Sequence, residues 1–196
     1  MNGLLAVIVP LGLLNGALLR IGRGIGVVAI ALMVIATLVQ VFYRYALNNA
    51  LPWPDEAARF CMLWMMGLMA PTAFRRGGFV AIETLRHMLP RKAAQILSLI
   101  LLLLSLVVLL VAAQIGWKEV TGFGGRFTTA SLYVPTSLSF DSFYRVPRSW
   151  MIASLLVGIV LLLMVNVELI LRNIASLFGA ADRLPEIPET AYQGAE

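Results

Sequence analysis

Four runs of about 20 predominantly apolar residues constrain this chain more than any other feature, because a helix of that length crosses the hydrocarbon core of a bilayer. They lie at 24–46, 55–74, 93–116 and 149–171. With 60% hydrophobic residues, 13% charged residues and a mean hydropathy of +0.89, the 196-residue chain carries more apolar surface than a soluble domain of its size buries. The reading is an all-α integral membrane protein with four transmembrane helices, organised as an apolar or interfacial segment (1–23), a four-helix membrane domain (24–172) and a polar tail (173–196).

The second run is the most informative. It opens with Pro52, Trp53, Pro54, Asp55 and Glu56, which is a helix-start pattern: proline sits where no amide hydrogen is needed, and acidic side chains fall at the positive end of the dipole. Glu56 and Arg59 are three apart on one face and are expected to pair at or just inside the membrane surface. The preferred reading is structural, with the glutamate neutralising the arginine; the competing one is an arginine that binds an anionic solute. Pro71 cannot donate to the carbonyl of Gly67, so a kink is expected there.

Residues 1–19 place Leu4, Val7, Ile8, Leu11, Leu14 and Leu18 at helical spacing, interrupted by Pro10, Gly12, Asn15 and Gly16. This suits a helix in the interface or leading into the first span, with a fifth span as the competing reading. Gly22 and Gly26 form a small-xxx-small pair, as do Ser154 and Gly158, while Ser98, Ser105 and Ala112 recur every seven residues; each set invites close helix contact. The segment 79–89 reads as a short amphipathic helix lying on the membrane between spans 2 and 3, with His87 an interfacial polar residue. Residues 117–148 form the one long loop, rich in aromatics, read as an interfacial lining or as a partner-docking surface. Near the end of the fourth span, Glu168 and Arg172 are four apart and positioned to pair.

The 15 basic residues divide into nine on the side of the termini and six opposite, and five of the nine are packed into 75–92. The positive-inside rule therefore places both termini in the cytoplasm. Because the basic residues cluster at span ends, the formal charge of +5 sets topology and does not point to nucleic acid.

The catalytic parts are few. One cysteine (Cys61) and one histidine (His87) rule out a thiolate metal site, an intrachain disulfide and a bis-histidine haem, and no phosphate loop, zinc-binding helix or nucleophile elbow is present. No cofactor is expected. One enzyme reading stands as the alternative: Asp55 and Asp141, both on the outer face, sharing a proton as in a small polytopic membrane aspartyl peptidase.

Several of these residues resemble the small membrane subunit of the tripartite ATP-independent periplasmic (TRAP) transporters, the DctQ-like family. Trp53, Glu56 and Arg59, followed by Trp64 and Gly67, are similar to its Trp-x-x-Glu-x-x-Arg pattern and later tryptophan. The run from Arg76 through Gly77, Gly78 and Glu83 to Leu89-Pro90, the run from Thr129 to Pro135, and Val146-Pro147 are similar to its later segments. The resemblance covers about 20–172. Where the family often has a histidine and an aspartate, this chain has Phe79 and Glu83, so no role of that histidine carries over.

The resemblance implies a non-enzymatic subunit in the bacterial inner membrane, surrounded by membrane lipid. It implies two protein partners, a large permease subunit bearing the transport domain and sodium sites and a periplasmic substrate-binding protein that delivers an organic acid. Trp53, Glu56, Arg59, Trp64 and Gly67 would hold the bundle and its contact with the large subunit.

Overall fold

The structure is a computed structural model that describes residues 2–76, 90–135 and 143–178. Its helices are α1 (Asn2–Tyr45), α2 (Trp53–Arg75), α3 (Arg91–Thr121) and α4 (Arg148–Leu177). All four are long and apolar enough to cross a membrane, and the chain is a multi-pass, all-α membrane protein. Between α3 and α4 lie a 3-10 turn (Phe123–Arg126) and an antiparallel hairpin of β1 (Thr128–Pro135) and β2 (Phe143–Pro147).

The helices are laid side by side in the order α1, α2, α4, α3. Contacts fix their directions. Arg75 reaches Gly12 and Asp55 reaches Gln40, so α1 and α2 are antiparallel, whereas Gly67 meets Ser154 and Gly158, and Arg75 meets Glu168, so α2 and α4 run the same way. Asn166 Nδ2 donates to Leu102 O at 3.3 Å and Gln95 Nε2 to Ser176 Oγ at 2.9 Å, which sets α3 antiparallel to α4.

What lets the helices approach is small residues. The buried stripe of α1 includes Gly12, Leu19, Gly22, Gly26, Ala29 and Ala36, spaced by three, four or seven so that they share one face. The two glycine pairs act as their spacing suggests: a Cβ on Gly26 would lie 2.8 Å from Met69 Cγ, and one on Gly158 would lie 2.8 Å from the Gly67 backbone. Ser98, Ser105 and Ala112 all fall on the half-buried side of α3, the side toward α4. Large aliphatic side chains point outward instead, as Leu13, Ile25, Leu38, Leu104 and Val108 do. A bilayer makes that arrangement stable, since lipid tails solvate leucine as well as another helix does.

Several boundaries differ from those read off the sequence. α1 is one helix of 44 residues, about 66 Å long, and no reverse turn separates 1–19 from 24–46. A fifth span would need such a turn, so none forms; the N-terminal half instead continues α1, and its Ile8 packs on Leu171 and Ala175 of α4. Pro10 is accommodated inside α1. At the other end, α4 continues to Leu177, so the helix covers the start of the segment read as a polar tail. The 117–148 loop contains the last turn of α3 and the hairpin. The expected amphipathic helix at 79–89, His87 and Asp141 lie outside the described residues.

After α1 the chain reverses at Asn48, whose φ of 50° lies in the left-handed region that asparagine tolerates better than most residues, and Asn49 N donates to Tyr43 O at 3.0 Å.

Candidate functional site

Two polar clusters sit at opposite ends of α2. At the hairpin end, Pro54 occupies the first turn of α2, and Asp55 accepts a hydrogen bond from the buried Gln40 of α1 at 3.3 Å. Glu56 does not pair with Arg59. Its carboxylate accepts the amide of Ala130 at 3.0 Å, the amide of Ser131, and the Ser131 hydroxyl at 2.7 Å. The reason lies in β1: the ladder to β2 is irregular between Thr128 and Tyr133, which frees the amides of Ala130 and Ser131 from strand pairing. A carboxylate one turn into α2 satisfies both.

The hairpin is pinned to α2 by this bond set and to α4 by its own root. Thr129 Oγ1 donates to Val146 O at 2.7 Å, and Arg148 N donates to Phe127 O at 2.8 Å. Arg145 closes the outer side, donating to Ala130 O at 3.0 Å and to the Tyr133 hydroxyl at 2.7 Å. Nothing in a sequence reading of a loop signals that two of its amides will cap a glutamate 74 residues earlier.

The other residues of the motif separate by role. Trp53 is 43% exposed at the rim, as suits an aromatic at headgroup level. Trp64 packs its ring 6.3 Å from that of Phe60, with its indole N–H buried and lacking an acceptor among the described residues. Gly67 is the point where α2 and α4 touch backbone to backbone: a Cβ there would collide with Ser154 O. Arg59 is exposed and has no carboxylate partner among the described residues. Of the aspartyl pair, Asp55 is held by Gln40, and Asp141 is not among the described residues.

At the far end of α2 lies a cluster that sequence reasoning caught only in part. Glu168, fully buried, accepts from Arg75 at both oxygens (Nη2 to Oε1, 2.7 Å; Nε to Oε2, 3.0 Å), from Arg172 Nε at 2.9 Å and from Asn15 Nδ2 at 2.7 Å. Arg75 Nη2 also donates to Gly12 O at 2.8 Å, and Asn15 Nδ2 lies 3.2 Å from Met164 O. A side chain on Gly12 would press on Glu168 and Arg172, with a Cβ at 3.1 and 3.2 Å from them. The 168–172 pair was legible from its spacing; Arg75 read as a topology signal and Asn15 as a helix interruption, and neither spacing nor composition links them.

Just beyond α2, burial and the nearby charge of Arg23 hold the Arg76 guanidinium below its usual range. No group of three or more His, Cys, Asp or Glu side chains that could hold a metal ion occurs among the described residues.

Among curated proteins and among solved structures, nothing matches the chain. A family model does: the DctQ component of the tripartite ATP-independent periplasmic transporters matches residues 33–176, from the middle of α1 to the end of α4. That match spans all four helices, the hairpin and both polar clusters except Gly12 and Asn15, and the chain belongs to the DctQ family, the small permease subunits of TRAP transporters.

Proposed function

We propose that this subunit scaffolds and anchors a large permease subunit in a sodium-coupled transporter for organic acids, fed by a periplasmic substrate-binding protein. In this reading it lies in the bacterial inner membrane with both termini in the cytoplasm, and the transport chemistry belongs to the large subunit. It is not an enzyme; the family is a transporter component.

The observation that carries the proposal is what Glu56 and the buried Glu168 do. Glu168, Arg75 and Arg172 are consumed by one another, and Glu56 by backbone amides of the hairpin. Charged groups so engaged fasten helices together, whereas a solute pathway needs polar groups free to exchange ligands. Trp53, Glu56, Trp64 and Gly67 then act on the shape of the bundle that the large subunit meets.

The test is to purify the tagged chain from its native host in mild detergent and identify what accompanies it in stoichiometric amount. A larger polytopic permease is the expected companion. Reconstitution of the pair in liposomes, with the binding protein outside and an organic acid as substrate, should give uptake that requires an inward sodium gradient. Recovery of the folded chain alone would overturn the scaffold reading; uptake indifferent to sodium would overturn the coupling.

A further inference from the structure

Arg59, on α2, and Arg148, the first residue of α4, line one cavity of about 560 Å³ at the hairpin end of the bundle. Neither has a carboxylate partner among the described residues. Glu56 borders the same cavity, but its oxygens are occupied by the amides of Ala130 and Ser131. The N-terminus of α4 adds charge of the same sign, having no side-chain cap and no acidic residue in its first turn. A cavity bordered by two guanidiniums with no carboxylate partner among the described residues, and by a helix N-terminus without a side-chain cap, attracts an anion.

The rest of the cavity states which kind of anion. Its deeper wall is apolar, made by Leu63, Met151, Ile152 and Leu155. Arg59 also borders a second groove of about 500 Å³ on the other side of α2, lined by Met33, Val34, Leu38 and Met62. Trp53, six residues before Arg59, and Trp150, two residues after Arg148, are 43% and 53% exposed and mark headgroup depth. A positive mouth at headgroup level that opens into an apolar groove on each side of one helix has the form of a diacyl lipid.

We propose that this cleft binds one glycerophospholipid, with its phosphate held by Arg59 and Arg148, one acyl chain between α2 and α4 and the other between α1 and α2. An anionic headgroup is preferred, because two guanidiniums face a single phosphodiester charge. The described lining of the site comes from this chain, and the proposal does not depend on the scaffold reading.

Native mass spectrometry of the full chain, delipidated in detergent and titrated with phosphatidylglycerol or phosphatidylcholine, tests it. The wild type should retain one phosphatidylglycerol, and more weakly one phosphatidylcholine, while inorganic phosphate should not displace the lipid. Arg59→Gln and Arg148→Gln should each weaken retention roughly tenfold, the loss of one charge-assisted contact, and Arg59→Lys should recover part of it. Leu155→Trp, which fills the apolar wall and leaves both arginines in place, should also weaken retention, and it decides the matter if a glutamine variant does not fold. Undiminished phosphatidylglycerol binding in the double glutamine variant would overturn the site. Displacement by inorganic phosphate would make it a free-anion site. Unchanged lipid binding with loss of a co-purifying membrane protein would assign the arginines to that protein, and would overturn the lipid while leaving the scaffold intact.

Discussion

Glu168 and Arg75, 93 positions apart in sequence, meet through two parallel hydrogen bonds of 2.7 and 3.0 Å at the end of the bundle away from the hairpin. The carboxylate is fully buried, yet it faces two guanidiniums and an amide, so none of its lone pairs is wasted. Through it one residue of α4 holds the end of α2 and the N-terminal half of α1. α1 meets α4 through this cluster and through Ile8, which packs on Leu171 and Ala175.

Removing one member should therefore cost more than the pair is worth. Glu168→Ala removes the buried carboxylate that Arg75 and Arg172 share and should destabilise by about 3–5 kcal/mol, whereas Glu168→Leu combined with Arg75→Met should recover most of the loss by replacing ions with packing. Thermal unfolding in detergent, run as a double-mutant cycle, reads this directly. Additive losses would show that the pair is not coupled.

Glu56→Ala should loosen the hairpin and not the helix bundle. Hydrogen bonds to a charged acceptor are worth about 1.5–3 kcal/mol, so amide exchange at Ala130 and Ser131 should accelerate by an order of magnitude or more. Exchange along α2 should stay within twofold or so of wild type. Arg59→Ala, which removes no partner of Glu56, should leave the exchange at those amides unchanged. Acceleration in both variants would restore the 56–59 pairing that the sequence spacing suggests.

The contrast between these clusters shows what a sequence can carry. Four spans are legible because hydropathy is a property of contiguous residues, and the glycine pairs because four-residue spacing already fixes a shared helix face. The 168–172 pair is legible for the same reason. Arg75 and Asn15 are not, since their partner lies on another helix and is chosen by how the helices stack. Glu56 takes its partners from the hairpin and not from Arg59, the nearest opposite charge in sequence, and the bulge in β1 that supplies two free amides leaves no compositional trace. Likewise α1 runs through Pro10 and the glycines that suggest an interruption, because packing against α2 and α4 overrides propensity.

Topology rests on the nine-to-six division of basic residues and is checked by labelling. In a Cys61→Ala background, Thr121→Cys at the hairpin end of α3 should react with a membrane-impermeant maleimide in intact spheroplasts. Lys92→Cys, at the other end of the same helix, should react only after lysis. The reverse pattern would place the termini outside and turn the lipid cleft toward the cytoplasmic leaflet.

The meeting of Gly67 and Gly158 yields the sharpest prediction about packing. Each glycine lacks room for a methyl group because the opposing atoms are backbone, which cannot rotate away: Gly158 would place its Cβ 2.8 Å from both Gly67 Cα and Gly67 O. Gly67→Ala or Gly158→Ala must separate α2 from α4, at about 1–3 kcal/mol for overpacking, and should carry the Arg75–Glu168 pair apart with them, since both contacts lie along one helix interface. Gly24→Ala is the control. Nothing lies within 4 Å of a Cβ there, and helix propensity then favours alanine by up to about 1 kcal/mol. Thermal unfolding of the three variants should rank Gly24→Ala at or above wild type and the other two below it. If Gly67→Ala were as stable as Gly24→Ala, α2 and α4 would not cross backbone to backbone, and the motif glycine would have to act on a surface outside this chain.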